Sequence, residues 1–156
     1  MATDSRAQQW RADVARARAI VKVSDGQLRR VVVRAVREQG ATQTDVAHVL
    51  GVSQPTVHRW LQEAGRRPQE GPQALGADPY EIAQRYVAGD MSREQMHDAL
   101  VAWPYERDTT LDGDYWDKTD PGAAQDGTFS ATVGQALTDG LLSDEEYDAI
   151  LYGLPA

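Results

Sequence analysis

Cysteine is absent from this 156-residue chain, which excludes disulfides, thiolate metal sites and thiol nucleophiles. Histidine is sparse. His48, His58 and His97 are scattered, and no two stand at ligand spacing on one helix face, so no metal site is expected. Lysine occurs only at Lys22 and Lys118 while arginine is abundant beside much Ala, Gly, Val and Asp, a composition that fits the codon bias of a GC-rich bacterium. No apolar run approaches membrane-spanning length, and no basic stretch followed by an apolar core opens the chain. The expectation is a soluble cytoplasmic protein with no membrane partner. Catalytic patterns are missing too. Asp112 and Asp114 begin like a calcium loop, but Trp116 and Asp117 stand where a ligand and a glycine are required. No Ser/His/Asp arrangement or glycine-rich phosphate loop is found elsewhere, so neither an enzyme nor a cofactor is expected.

What the chain does have is uneven charge. Its net charge is −8, yet residues 1–70 hold twelve Arg and Lys against seven Asp and Glu, while residues 71–156 hold four against seventeen. Such asymmetry points to two domains with different partners, although acidic surfaces are also common and aid solubility.

Helical spacing organises the basic half. Trp10, Val14, Ala17 and Val21 predict an amphipathic helix from about 5 to 22, with Trp10 a core anchor. Ser24 and Gln27 form a capping-box pattern that predicts a fresh helix, whose apolar face is Leu28, Val31, Val32, Ala35 and Val36 and whose end is Gly40. Residues 66–77 are rich in Gly and Pro and lack periodicity, as a linker does. Beyond them Asp78-Pro79-Tyr80-Glu81 reads as a capped helix start, followed by a Gly89 stop and a Ser92/Gln95 restart. Gly89 to Met96 aligns with Gly140 to Tyr147 at an offset of 51 residues, so two helical hairpins are expected, by duplication or by convergent helix punctuation. Between them, 103–127 is a long loop whose aromatics Trp103, Tyr105, Tyr115 and Trp116 are candidates for partner binding or for anchoring the loop.

The densest pattern runs from Gln43 to Trp60. Ala47 is small where two short helices would meet, Gly51 lies where the turn needs an unusual backbone, and Val57 would bury against Val46, Ala47 and Leu50. This spacing resembles the helix-turn-helix of bacterial repressors and recombinase DNA-binding domains. Counting from Gln43, Ala47, Gly51 and Val57 take the fifth, ninth and fifteenth positions of that family's unit. Apolar Val46, Leu50, Val52 and Trp60 take the fourth, eighth, tenth and eighteenth, with Trp60 bulkier than the usual aliphatic residue.

The resemblance implies duplex DNA as partner and a second helix that reads the major groove. Carried over by position, the contacts are Ser53, Gln54, Thr56, His58, Arg59 and Gln62, with Gln43 on the first helix. Gln54 suits paired hydrogen bonds to adenine, and Arg59 suits guanine or a phosphate. Ser53 also caps the helix. Arg29, Arg30, Arg34 and Arg37 are candidate phosphate contacts. The alternative for all of these is a merely solvated face.

Together these features predict an all-α protein: a helix-turn-helix bundle over 1–65, a Gly/Pro linker over 66–77, and acidic helical hairpins with a long aromatic loop over 78–156. The implied function is a nucleoid-associated, sequence-specific transcriptional regulator, a repressor. Residues 78–156 would self-associate or bind a protein partner. An antitoxin-like autoregulator that neutralises a basic partner, and a terminase small subunit-like phage DNA-packaging protein, are the alternatives.

Overall fold

A computed structural model describes residues 2–106 and 127–155. Every regular element among them is helical: α1 (Ala2–Glu38), α2 (Gln43–Leu50), α3 (Gln54–Arg66), a 3-10 turn (Pro72–Ala74), α4 (Pro79–Val87), α5 (Arg93–Ala102), α6 (Phe129–Thr138) and α7 (Asp144–Gly153).

The helix starts follow the capping chemistry of the sequence. Thr42, Ser53, Asp78, Ser92, Thr128 and Ser143 each sit in extended backbone and accept a hydrogen bond from the N–H three residues on. Ser92 with Gln95, and Ser143 with Glu146, complete reciprocal capping boxes. Each such cap contributes about 1 kcal/mol to the helix it starts.

One expected cap is not used. Ser24 and Gln27 were expected to open a new helix, but α1 runs unbroken through Ser24, Asp25 and Gly26. An interior glycine costs only about 1 kcal/mol relative to alanine, and packing on both sides of the break outweighs it. Ala19 lies in one core and Val32 in the other, so straightening the helix satisfies both.

Those two cores flank the spine. Val32 meets Ala47, Val57, Trp60 and Leu61 of α2 and α3, with Val36, Val46, Leu50 and Val52 packed around them. Ala19 shares the other core with Ile82, Met96, Leu100, Val133 and Ile150 of the remaining helices and with Leu142 of the turn between α6 and α7. Within this second group α4 lies against α1, α5 and α6, and α7 lies against α5 and α6.

The covered face of α1 also differs from the expected one. Trp10, expected in the core, is 57% exposed, and Val14, Val21, Leu28 and Val31 are also exposed. The covered stripe is the small-residue one, with Ala15 and Ala19 against the second core and Ala12 against the turn at Gly140. Small side chains let a neighbouring backbone come close. A β-carbon placed on Gly140 would stand 2.8 Å from that of Ala12.

Candidate nucleic-acid interface

The turn between α2 and α3 is built by three residues whose types the geometry demands. Ala47 is buried where the helices approach, and Val57 is fully buried beneath them. Gly51 takes the left-handed conformation at φ 69°, where a side chain is strained. The Val52 N–H then donates to the Ala47 carbonyl at 3.1 Å, which closes the turn. Ser53 immediately caps α3, its Oγ accepting from the Thr56 N–H at 3.3 Å and lying 2.8 Å from Thr56 Oγ1. Pro55 falls in the first turn, where no internal donor is needed.

With Val57, Trp60 and Leu61 turned inward, the opposite face of α3 presents Gln54, His58, Arg59 and Gln62 to solvent. Gln54 Nε2 donates to Gln43 Oε1 at 2.7 Å, tying the first residue of α3 to the first of α2. Ser53 is exposed beside them, while Gln43 and Thr56 are half-buried. Arg59 approaches Glu63 at 3.9 Å, but both are largely exposed, and such a pair restrains the guanidinium weakly. Five of the seven residues expected from the motif are therefore exposed on the α2–α3 unit, and the other two are half-buried there.

The four arginines of α1 divide differently. Arg34 is exposed. Arg29 forms ion pairs with Asp25 and Glu63, each at 3.1 Å, and its guanidinium lies 5.0 Å from the centre of the Trp60 ring. Arg37 donates to the Leu61 carbonyl at 3.1 Å, and Arg30 stands 3.6 Å from Asp90. These three line a cleft of about 660 Å³ between α1, α3 and the chain leading into α4, rather than extending the α3 face. In the aromatic segment Trp103 and Tyr105 are half-buried against the second core. The Tyr105 hydroxyl donates to the Leu100 carbonyl at 2.6 Å, and its ring stands edge-on to Phe129. Burial pushes that hydroxyl's pKa well up. Tyr115, Trp116, Asp112 and Asp114 lie outside the described residues.

One residue with no expected role ties the turn between α4 and α5 to α1. Asp90 accepts from Arg85 at 2.7 Å and from Gln27 at 3.3 Å, besides facing Arg30. Burial pushes its carboxyl up, but Arg85, Gln27 and Arg30 together hold it below the ordinary aspartate value. The sequence carried a signal for it. In the hairpin alignment Asp90 takes the place of Leu141, a charge where the second copy buries an apolar plug. The segment 66–77 is likewise held: Glu81 bonds Arg67 at 3.2 Å and the Ala77 N–H at 2.6 Å, and Arg85 donates to the Leu75 carbonyl.

A buried, turn-linked helix pair with a polar outer face defines a helix-turn-helix unit. Residues 24–75 match the family model of the homeodomain-like domain, so the chain carries an N-terminal homeodomain-like DNA-binding module, a non-catalytic one. No curated protein and no solved structure matches the chain. Among the described residues no cluster of His, Asp and Glu is placed to hold a metal ion, and no helix is long and apolar enough to cross a membrane.

Proposed function

We infer that the protein is a sequence-specific transcriptional regulator, a cytoplasmic repressor that acts by occupying its operator. The observation that carries this reading is the outward face of α3. Gln54, His58, Arg59 and Gln62 stand exposed together while the reverse face is locked onto α1. Gln54 and Arg59 have the donor geometry to read adenine and guanine edges, and Ser53 and Gln43 lie beside them to position the backbone. Arg29, Arg30, Arg34 and Arg37 are the candidate phosphate contacts on α1; Arg29, Arg30 and Arg37 also brace α3 and α4 through Glu63, Asp90 and the Leu61 carbonyl.

In this reading DNA binding falls to residues 1–65 through α2, α3 and the second half of α1, 66–77 lead out of that unit, and the acidic helical hairpins and aromatic loop of 78–156, packed on the first half of α1, bind a protein partner. The acidity keeps that domain off the phosphates and leaves the basic half to them.

Selection of a random duplex library with the full-length protein, at low and physiological salt, tests the reading. Enrichment of one sequence that Gln54→Ala or Arg59→Ala relaxes at single positions is the expected result. Binding without enrichment would reduce the module to a nonspecific clamp.

A further inference from the structure

The exposed apolar residues of α1 are not scattered. Trp10, Val14, Ala17, Val21, Leu28 and Val31, with polar Ser24 and half-buried Ala35 completing the series, recur at alternating steps of four and three, the a/d spacing of a coiled-coil seam. Trp10 (57%), Val14 (58%), Val21 (70%) and Val31 (57%) are mostly open to solvent, and Ile20 beside them is half-exposed. At about 100° per residue this seam lies on the side of α1 opposite Ala12, Ala15 and Ala19, which the second core covers. The helix thus carries a long apolar stripe that nothing among the described residues buries, and its period of 3.5 fits another helix.

We propose that this stripe pairs with the same stripe of a second copy of the chain, running antiparallel about a dyad between Lys22 and Val23. In that register a larger residue faces a smaller one at three of the four layers, and two valines meet at the other. Trp10 meets the partner's Ala35, Val14 the partner's Val31, Ala17 the partner's Leu28, and Val21 the partner's Ser24. The flanking charges match as well. Asp13 faces the partner's Arg34, and Arg18 faces the partner's Asp25, each pair occurring twice by symmetry. The parallel arrangement does worse. It stacks Trp10 on the partner's Trp10 and sets Ser24 against the partner's Ser24, and its repulsion of Arg6 by the partner's Arg11 offsets its attraction of Asp13 to the partner's Arg18.

The dyad also spaces the DNA-binding units. Val32 and Val36 anchor α2 and α3 about 12 residues from it, so the two anchors stand roughly 35 Å apart along the paired helices at 1.5 Å per residue. That equals about one turn of duplex DNA, the spacing of paired half-sites. This last step rests on the regulator reading, whereas the pairing does not.

Sedimentation of the full-length chain at micromolar concentration, without DNA, is the test. A dimer is expected, and Val21→Glu, at an open position, is expected to give a monomer with unchanged helical circular dichroism. Asp13→Arg and Arg34→Asp should each weaken the dimer by roughly tenfold, and the double reversal should restore it. The chain has no cysteine of its own, so Val21→Cys mixed with Ser24→Cys should oxidise mainly to the mixed disulfide. A monomeric wild type, a Val21→Glu dimer, a double reversal no better than the singles, or a predominance of like-with-like disulfides would each overturn the proposal.

Discussion

The approach of the Gly140 turn to α1 can be isolated, because the molecule carries a second copy of the same turn without it. Gly140 and Gly89 have nearly the same left-handed backbone, φ 77° and 81°. At Gly89 a β-carbon would meet nothing within 4 Å, whereas at Gly140 it would stand 2.8 Å from Ala12 Cβ and 3.4 Å from its Cα. Gly89→Ala therefore costs only the conformational strain, about 1–2 kcal/mol. Gly140→Ala adds overpacking of about 1–3 kcal/mol, for a total of roughly 2–5 kcal/mol. Urea unfolding of both variants measures the difference directly from the shift in midpoint. Adding Ala12→Gly separates the clash further. Alone it costs about 1 kcal/mol as an interior helix glycine, but in the Gly140→Ala background it should recover stability. Equal losses for the two alanine variants, or strict additivity with Ala12→Gly, would refute the close approach and with it the docking of α1 on the hairpin.

Other perturbations address the core, the interface and the Asp90 network. Leu100→Ala, at a fully buried position in the second core, should lower unfolding free energy by about 2–5 kcal/mol in a calorimetric or denaturant measurement. Arg59→Ala should cost roughly 1–3 kcal/mol of specific DNA binding and relax one base position, read by fluorescence anisotropy on matched and mismatched duplexes; uniform weakening on every sequence would make Arg59 a phosphate contact. Asp90→Asn should destabilise by about 1–3 kcal/mol at neutral pH, since it strips the charge from a half-buried network that includes Arg85. The Asp90 carboxyl is depressed in the folded protein, so its stabilisation is present above the ordinary aspartate pKa of about 3.9 and disappears as pH falls through the lower, folded value. Wild type and variant should therefore converge in stability on acidification below about pH 4, and a gap that stays constant would exclude the charge as its source.

The helix-turn-helix was legible because its constraints are local. Ala47, Gly51 and Val57 sit within one short stretch, and each residue type is required by a contact or a backbone angle found there. The caps at Ser53, Asp78, Ser92 and Ser143 were legible for the same reason, as each acts three residues away. The continuity of α1 was not. Ser24 and Gln27 offer a local start, and only the cores at Ala19 and Val32, built by residues far along the chain, decide against it. The covered face misled for a related reason. α1 carries a stripe of large apolar residues and a stripe of alanines, and hydrophobicity alone favours the large one, whereas close packing at Gly140 requires the small one. Within the candidate site, the α3 residues were placed by the motif. The engagement of Arg29 and Arg30 depends on Glu63 and Asp90, 34 and 60 residues distant, which no local pattern announces.

The unbroken α1 also changes what it means to cut this protein. The stretch 66–77 is the natural place to divide the chain on paper, yet α1 has one end in each core and extends roughly 55 Å as a single rod. A protease nick within 67–71 would sever the covalent chain and leave the molecule whole, held by Asp90 on Gln27 and Arg30 and by Gly140 on Ala12. A fragment ending at that nick would instead carry away half of the second core's lid, with Ala19 and Val23 laid bare. Such a fragment is a damaged protein rather than a minimal one.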